Sequence, residues 1–126
     1  IQLRQDGNLS FLYISLPTAS DKVELFLSDA VMRQFLGNSV LLQMIMRASG
    51  KQEARIKVVP SAIFSGTGQP HRYLFKLESF LNEKFLTLDC PKSFSSAPKI
   101  VITADKETVP MSLDLFAIAV KRVESP

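Results

Sequence analysis

SVLLQMIMRASGKQEARIKVV, residues 39–59, decides the fold, because its first half fits two periods at once. Val40, Leu41, Met44, Ile45 and Ala48 fall on one face of a helix, yet the stretch also has the length and apolarity of a covered strand. The continuation separates the two readings. Ser49-Gly50-Lys51-Gln52 is a turn sequence, and beyond it Ala54, Ile56 and Val58 alternate with Arg55 and Lys57. Residues 40–59 are therefore expected to form a hairpin, with Met44 and Met46 on one strand face and directed at the core.

The flanking runs extend the pattern. LSFLYISL (9–16) puts Leu9, Phe11 and Tyr13 on one face and Leu12, Ile14 and Leu16 on the other, as in a strand covered on both sides. After the turn-like PTASDK, VELFL (23–27) is expected to complete a first hairpin. In SDAVMRQFLGN, Ser28 or Asp29 can cap a short helix and Gly37 can take the left-handed position that ends it. HRYLFKLESFL (71–81) fits a strand with Tyr73, Phe75 and Leu77 inward, or a helix opened by Pro70; Asn82-Glu83-Lys84 and the following FLTLDC favour the strand and a further hairpin. KIVITA and MSLDLFAIAV, joined at DKET, read as a last pair of central strands. The expected fold is mainly β: an antiparallel β-sandwich or partly open barrel with one short helix. An α+β fold is the alternative if both ambiguous segments are helical.

The length of 126 residues suits one strand-rich domain, spanning 1–126. The start at Ile1, with neither a basic nor an apolar leader pattern, leaves a mature exported product and a domain excised from a longer chain as the two readings, and the compartment open. Hydrophobic residues at 46% and charged residues at 21% describe a folded, soluble domain. The longest apolar stretch, Ser39 to Met46, is far short of the roughly 20 residues of a membrane-crossing helix. A net charge of +3, spread along the chain, is below what a dedicated nucleic-acid binder carries.

Candidate chemistry is sparse. Cys90 is the single cysteine and His71 the single histidine, so a disulfide, a cysteine-rich zinc site and a two-histidine metal site are all excluded within the chain. No metal and no cofactor are expected, and the reading leans away from an enzyme. Cys90, in FLTLDC, has the context of a small buried hydrophobe. The loop SGTGQPH has two glycines but lacks the third glycine or the Gly-Lys-Ser/Thr of a phosphate cradle. The remaining features are a basic cluster, Arg47, Lys51, Arg55 and Lys57, expected along one hairpin, and the loop carrying Ser65, Gly66, Gly68 and His71. These eight residues are the expected contacts of a non-catalytic protein-interaction or assembly module, acting through a sheet face, edge or loop on another protein or another domain of the same polypeptide. The alternative is a small-molecule-binding or enzymatic β-barrel with an apolar pocket near Phe64, His71, Tyr73 and Phe75. A nucleic-acid binder using the basic hairpin, with Tyr73 and Phe75 stacking, ranks third.

Overall fold

The computed structural model describes residues 1–50, 53–65, 69–94 and 96–123. In chain order the strands are β1 (Gln2–Asp6), β2 (Leu9–Leu16), β3 (Lys22–Phe26), β4 (Ser39–Ala48), β5 (Ala54–Pro60), β6 (Tyr73–Leu77), β7 (Asn82–Asp89), β8 (Lys99–Ala104) and β9 (Met111–Arg122). They form a five-stranded sheet of order β1-β2-β9-β4-β7 and a four-stranded sheet of order β3-β8-β5-β6, all pairings antiparallel. The fold is the expected β-sandwich with one short helix, and it does not close into a barrel.

Both ambiguous segments are strands. In β4, Val40, Leu42, Met44, Met46 and Ala48 are buried while Leu41, Gln43, Ile45 and Arg47 face outward, a period of two that no helix could produce. Opposite them in the four-stranded sheet stand Ile56, Val58, Leu77, Ile100 and Ile102, each essentially inaccessible. Each such aliphatic side chain, fully buried, contributes about 1.5–3 kcal/mol. β8 and β9 are inner strands of their sheets, as their apolarity predicts.

The expected hairpins are corrected. β2 and β3, β4 and β5, β6 and β7, and β8 and β9 are each split between the two sheets. A turn sequence reports that the chain reverses. It does not report whether the returning strand pairs with its predecessor or arches over the core to the facing sheet. Two consecutive pairs do stay within one sheet: β1–β2, turned at Gly7 with φ +61°, and β5–β6.

The helix α1 (Asp29–Met32) follows β3 and continues as a 3-10 turn over Arg33–Phe35. The Ser28 hydroxyl caps it by accepting from the Val31 N–H, and Met32 closes one end of the core. Gly37 adopts φ +76°, and its N–H donates to the Pro91 carbonyl at 3.1 Å. A Cβ at this position would meet only Lys92 Cγ, at 3.9 Å, so the requirement is conformational rather than spatial. Gly37→Ala is expected to cost about 1–2 kcal/mol in urea denaturation. Gly37→Asn should cost less, because Asn tolerates the left-handed region; equal stability of all three forms would refute the assignment.

Candidate functional site

The outer face of the five-stranded sheet carries a cluster that an ordinary solvated surface would not need. Register places Gln2, Tyr13, Asp114 and Arg47 side by side across β1, β2, β9 and β4. Asp114 interrupts an apolar strand and is only 3% exposed. Its Oδ2 accepts from Arg47 Nε at 2.8 Å, whereas its Oδ1 is buried and has no hydrogen-bond partner among the described residues. Arg47 is thereby clamped with its guanidinium 5.4 Å from the ring centroid of Phe11 and 5.0 Å from that of Phe116, and Asp6 lies 3.9 Å from its Nη2.

A bulge makes this arrangement possible. Met46 pairs with Leu115, but Ile45 pairs with Ala117, so Phe116 is one extra residue in β9. The alternation slips by one, and Phe116 stays on the outer face, where its ring meets Phe11 at 5.0 Å. Pairing between β2 and β9 also ends at this point, with Leu12 and Leu115. The strands part beyond it, leaving an apolar cleft of about 280 Å³ bordered by Phe11, Leu12, Phe116 and Ile118.

Tyr13 is the second anchor. The Arg4 guanidinium lies 3.7 Å from its ring centroid and donates to Gln2 Oε1 at 2.9 Å, which orients it. Tyr13 also borders a polar cavity of about 370 Å³, with Ser15, Ser49, Glu53, Thr108 and Ser112 on its walls. Farther across the sheet, Ala119, Gln43 and Phe85 are in register on β9, β4 and β7, and Phe85 is 44% exposed. Ala117 and Ala119 project little between these rings. The face thus offers separated aromatic groups, a fixed guanidinium and several hydroxyl, amide and carboxylate groups on rigid strands, the combination that orients a polyhydroxylated ligand.

The basic cluster expected along one hairpin is divided. Arg47 belongs to the face just described, whereas Arg55 and Lys57 lie on the outer face of the four-stranded sheet, because β4 and β5 are in different sheets. Lys51, Gly66 and Gly68 lie outside the described residues. Ser65 is buried after the 3-10 turn Ala62–Phe64, and His71 is exposed just before β6. The pocket expected near Phe64, His71, Tyr73 and Phe75 is not assembled among the described residues: of the four, Phe75 alone borders a cavity, one of about 660 Å³ over the four-stranded sheet. Phe64 is in the core with the Phe94 ring edge-on at 6.3 Å, and Tyr73 and Phe75 stack against one another with the Tyr73 hydroxyl donating to the Thr87 carbonyl. Cys90 is buried, and burial together with the neighbouring Asp89 charge pushes its thiol pKa up, away from thiolate chemistry.

Among the described residues no group of three or more His, Cys, Asp or Glu is placed to hold a metal ion, and no helix is long and apolar enough to cross a membrane. Tyr13, Phe85, Asp114 and Phe116 escaped the reading of the sequence. The available signal was a pair of opposite charges, Arg47 and Asp114, each interrupting an otherwise apolar strand.

No family model matches the chain, and no curated protein matches it. Solved structures do. A family 16 carbohydrate-binding module aligns over 91% of this chain and 77% of its own, with a TM-score of 0.56 and 13% identity. The CBM22-1–GH10 modules of the Clostridium thermocellum endo-1,4-β-D-xylanase 10B, complexed with xylohexaose, align over 93% of this chain and 22% of their own, with a TM-score of 0.63 and 14% identity. The CBM22-1 xylan-binding domain of Paenibacillus barcinonensis Xyn10C aligns over 93% and 74%, with a TM-score of 0.56 and 10% identity. The expectation of a protein-interaction or assembly module with a protein partner is overturned by this finding, since the chains that share the sandwich are carbohydrate-binding modules. At these identities the likeness carries the architecture: the chain has the β-sandwich fold of such modules.

Proposed function

We propose that the protein binds a neutral polysaccharide across the outer face of its five-stranded sheet. The observation that carries this reading is the clamped Arg47. A side chain of this length is ordinarily mobile on a surface, and ordering it on binding would cost about 0.5–1.5 kcal/mol. Here the ordering is already done by the 2.8 Å bond to a buried carboxylate and by two flanking rings. The free edge of the guanidinium supplies hydrogen-bond donors in a fixed plane, matched to vicinal hydroxyls, while Tyr13 and Phe85 give apolar ring surface to the C–H faces of sugars. The fold supports the same reading, since neighbours sharing it include a xylan-binding domain.

Calorimetric titration with soluble xylan and with other neutral glycans tests the proposal. Binding of at least one is expected, and Arg47→Lys should weaken it about three- to tenfold while the fold persists, because lysine keeps a cation for Asp114 but loses the planar fork. Absence of binding to every neutral glycan, or an unaltered affinity in the lysine variant, would remove Arg47 and this face from the function.

A further inference from the structure

We propose that the outer face of the four-stranded sheet is a second glycan-binding surface, which takes an acidic polysaccharide with a carboxylate on its sugar units. Glu53, which also borders the cavity beside Tyr13, is the one side chain it shares with the first face; its cations are all its own.

The face is built from outward positions of all four strands. Register aligns Lys22, Thr103, Lys57 and Leu74 across β3, β8, β5 and β6, with Arg55 beside Lys76 in the next row. Lys99 completes a set of five cations. The carboxylates that meet them are Glu24, shared by Lys22 at 3.5 Å and Lys99 at 3.3 Å, Glu53, shared by Arg55 at 3.3 Å and Lys76 at 3.1 Å, and Glu78, 3.6 Å from Lys76. Lys57, in the middle, has no ion-pair or hydrogen-bond partner among the described residues. The largest of the cavities described, about 660 Å³, lies over this region and is walled by Arg55, Lys57, Leu74, Lys76 and Thr103.

The opposite face has the reverse balance, with Arg4, Arg47 and Lys121 against Asp6, Glu83, Asp89 and Asp114. The chain's modest net charge therefore conceals two faces of different sign, and a ligand selected by one is not selected by the other. Hydrogen bonds from Lys99 and Lys76 hold Glu24 and Glu53 below the ordinary carboxylate range.

The charge density decides between two classes of polyanion. Duplex DNA carries a charge every 1.7 Å or so of its axis. The cations here are spaced about 7 Å along a strand and about 5 Å between strands, and carboxylates are interspersed among them. Dense phosphates would meet those carboxylates unfavourably. A uronate chain matches the wider spacing, and its hydroxyls can donate to Glu24, Glu53 and Thr103. Leu74, 76% exposed, adds an apolar contact for the ring C–H surface.

Affinity electrophoresis of the full chain through gels containing polygalacturonate, with xylan gels alongside, tests the assignment. Retardation by polygalacturonate is expected and should fall as salt is raised. The Arg55→Gln/Lys57→Gln double variant should lose roughly fivefold in affinity for polygalacturonate and keep its mobility in xylan. Lys57→Gln alone orphans no partner, and it should show part of the loss in a protein whose fold is untouched. No retardation by polygalacturonate, or equal retardation of wild type and double variant, overturns the proposal. So does displacement of the bound protein by a duplex oligonucleotide at matched charge concentration, which would make this a nucleic-acid surface. Failure of the neutral-glycan reading would appear separately, as free migration of every form in xylan.

Discussion

Replacing Arg47 by Met is expected to lower the stability of the protein by about 3–5 kcal/mol, a large share of what a domain of this size possesses. The methionine can occupy the space between Phe11 and Phe116, so the loss comes from Asp114. That carboxylate is buried in a strand flanked by Leu113 and Leu115, and among the described residues its one side-chain partner is Arg47, whose Nε donates to it at 2.8 Å. Without it, both oxygens are left dry and unpaired. Asp114→Leu should cost less, about 1–2 kcal/mol, because the orphaned guanidinium is partly exposed and has Asp6 within 3.9 Å. The double variant Arg47→Met/Asp114→Leu should recover most of the loss, since an apolar pair of similar volume needs no partner. Urea denaturation of the three proteins gives the ordering. A loss below about 1 kcal/mol for Arg47→Met, or simple additivity in the double variant, would mean that the ion pair is not what fixes this face.

The pairing of Arg47 with Asp114 also marks the limit of what the sequence alone discloses. Strand identity was legible in Ala54 to Val58, whose period of two reflects burial on one side, and in Val40 to Ala48 only through the turn that leads from it into that run. The helix was legible from its ends, Ser28 and Gly37, since capping and a positive φ are local events. Sheet membership was not. Whether β5 returns beside β4 or crosses to the other layer depends on which apolar faces meet, and both arrangements bury the same residues. The site inherits that ambiguity: a cluster of Arg47, Lys51, Arg55 and Lys57 exists only if β4 and β5 are neighbours. β1 went unread for a related reason, since all of Gln2–Asp6 is exposed and its polar sequence shows no alternation. Its contribution is to present Gln2, Arg4 and Asp6 to the outer face, a purpose that becomes visible once Tyr13 and Phe11 are known to point the same way.

Tyr13→Ala is expected to weaken binding of a long neutral glycan roughly thirtyfold, about 2 kcal/mol, and to be the most damaging single change to binding on that face. Two losses combine. The ring itself goes, and Arg4, which rests on it at 3.7 Å, loses its platform and regains the rotamer freedom that binding must then remove. Arg4→Ala removes only the cation, and should cost a few-fold. The geometry adds a dependence on ligand length. Tyr13 and Phe85 are three strand spacings apart and sit in rows displaced along the strands, from Arg47 to Gln43. Their separation is therefore roughly 20 Å across the sheet, several sugar units, with the low side chains of Ala117 and Ala119 between. A disaccharide can touch one ring and not the other, whereas a hexasaccharide can span both. For the longer ligand Phe85→Ala should compound the loss in Tyr13→Ala, while for the disaccharide a single one of the two substitutions should matter. Titration of both single variants and the double with oligosaccharides of increasing length measures this directly. Equal sensitivity at every length would show that the two rings do not serve one extended ligand.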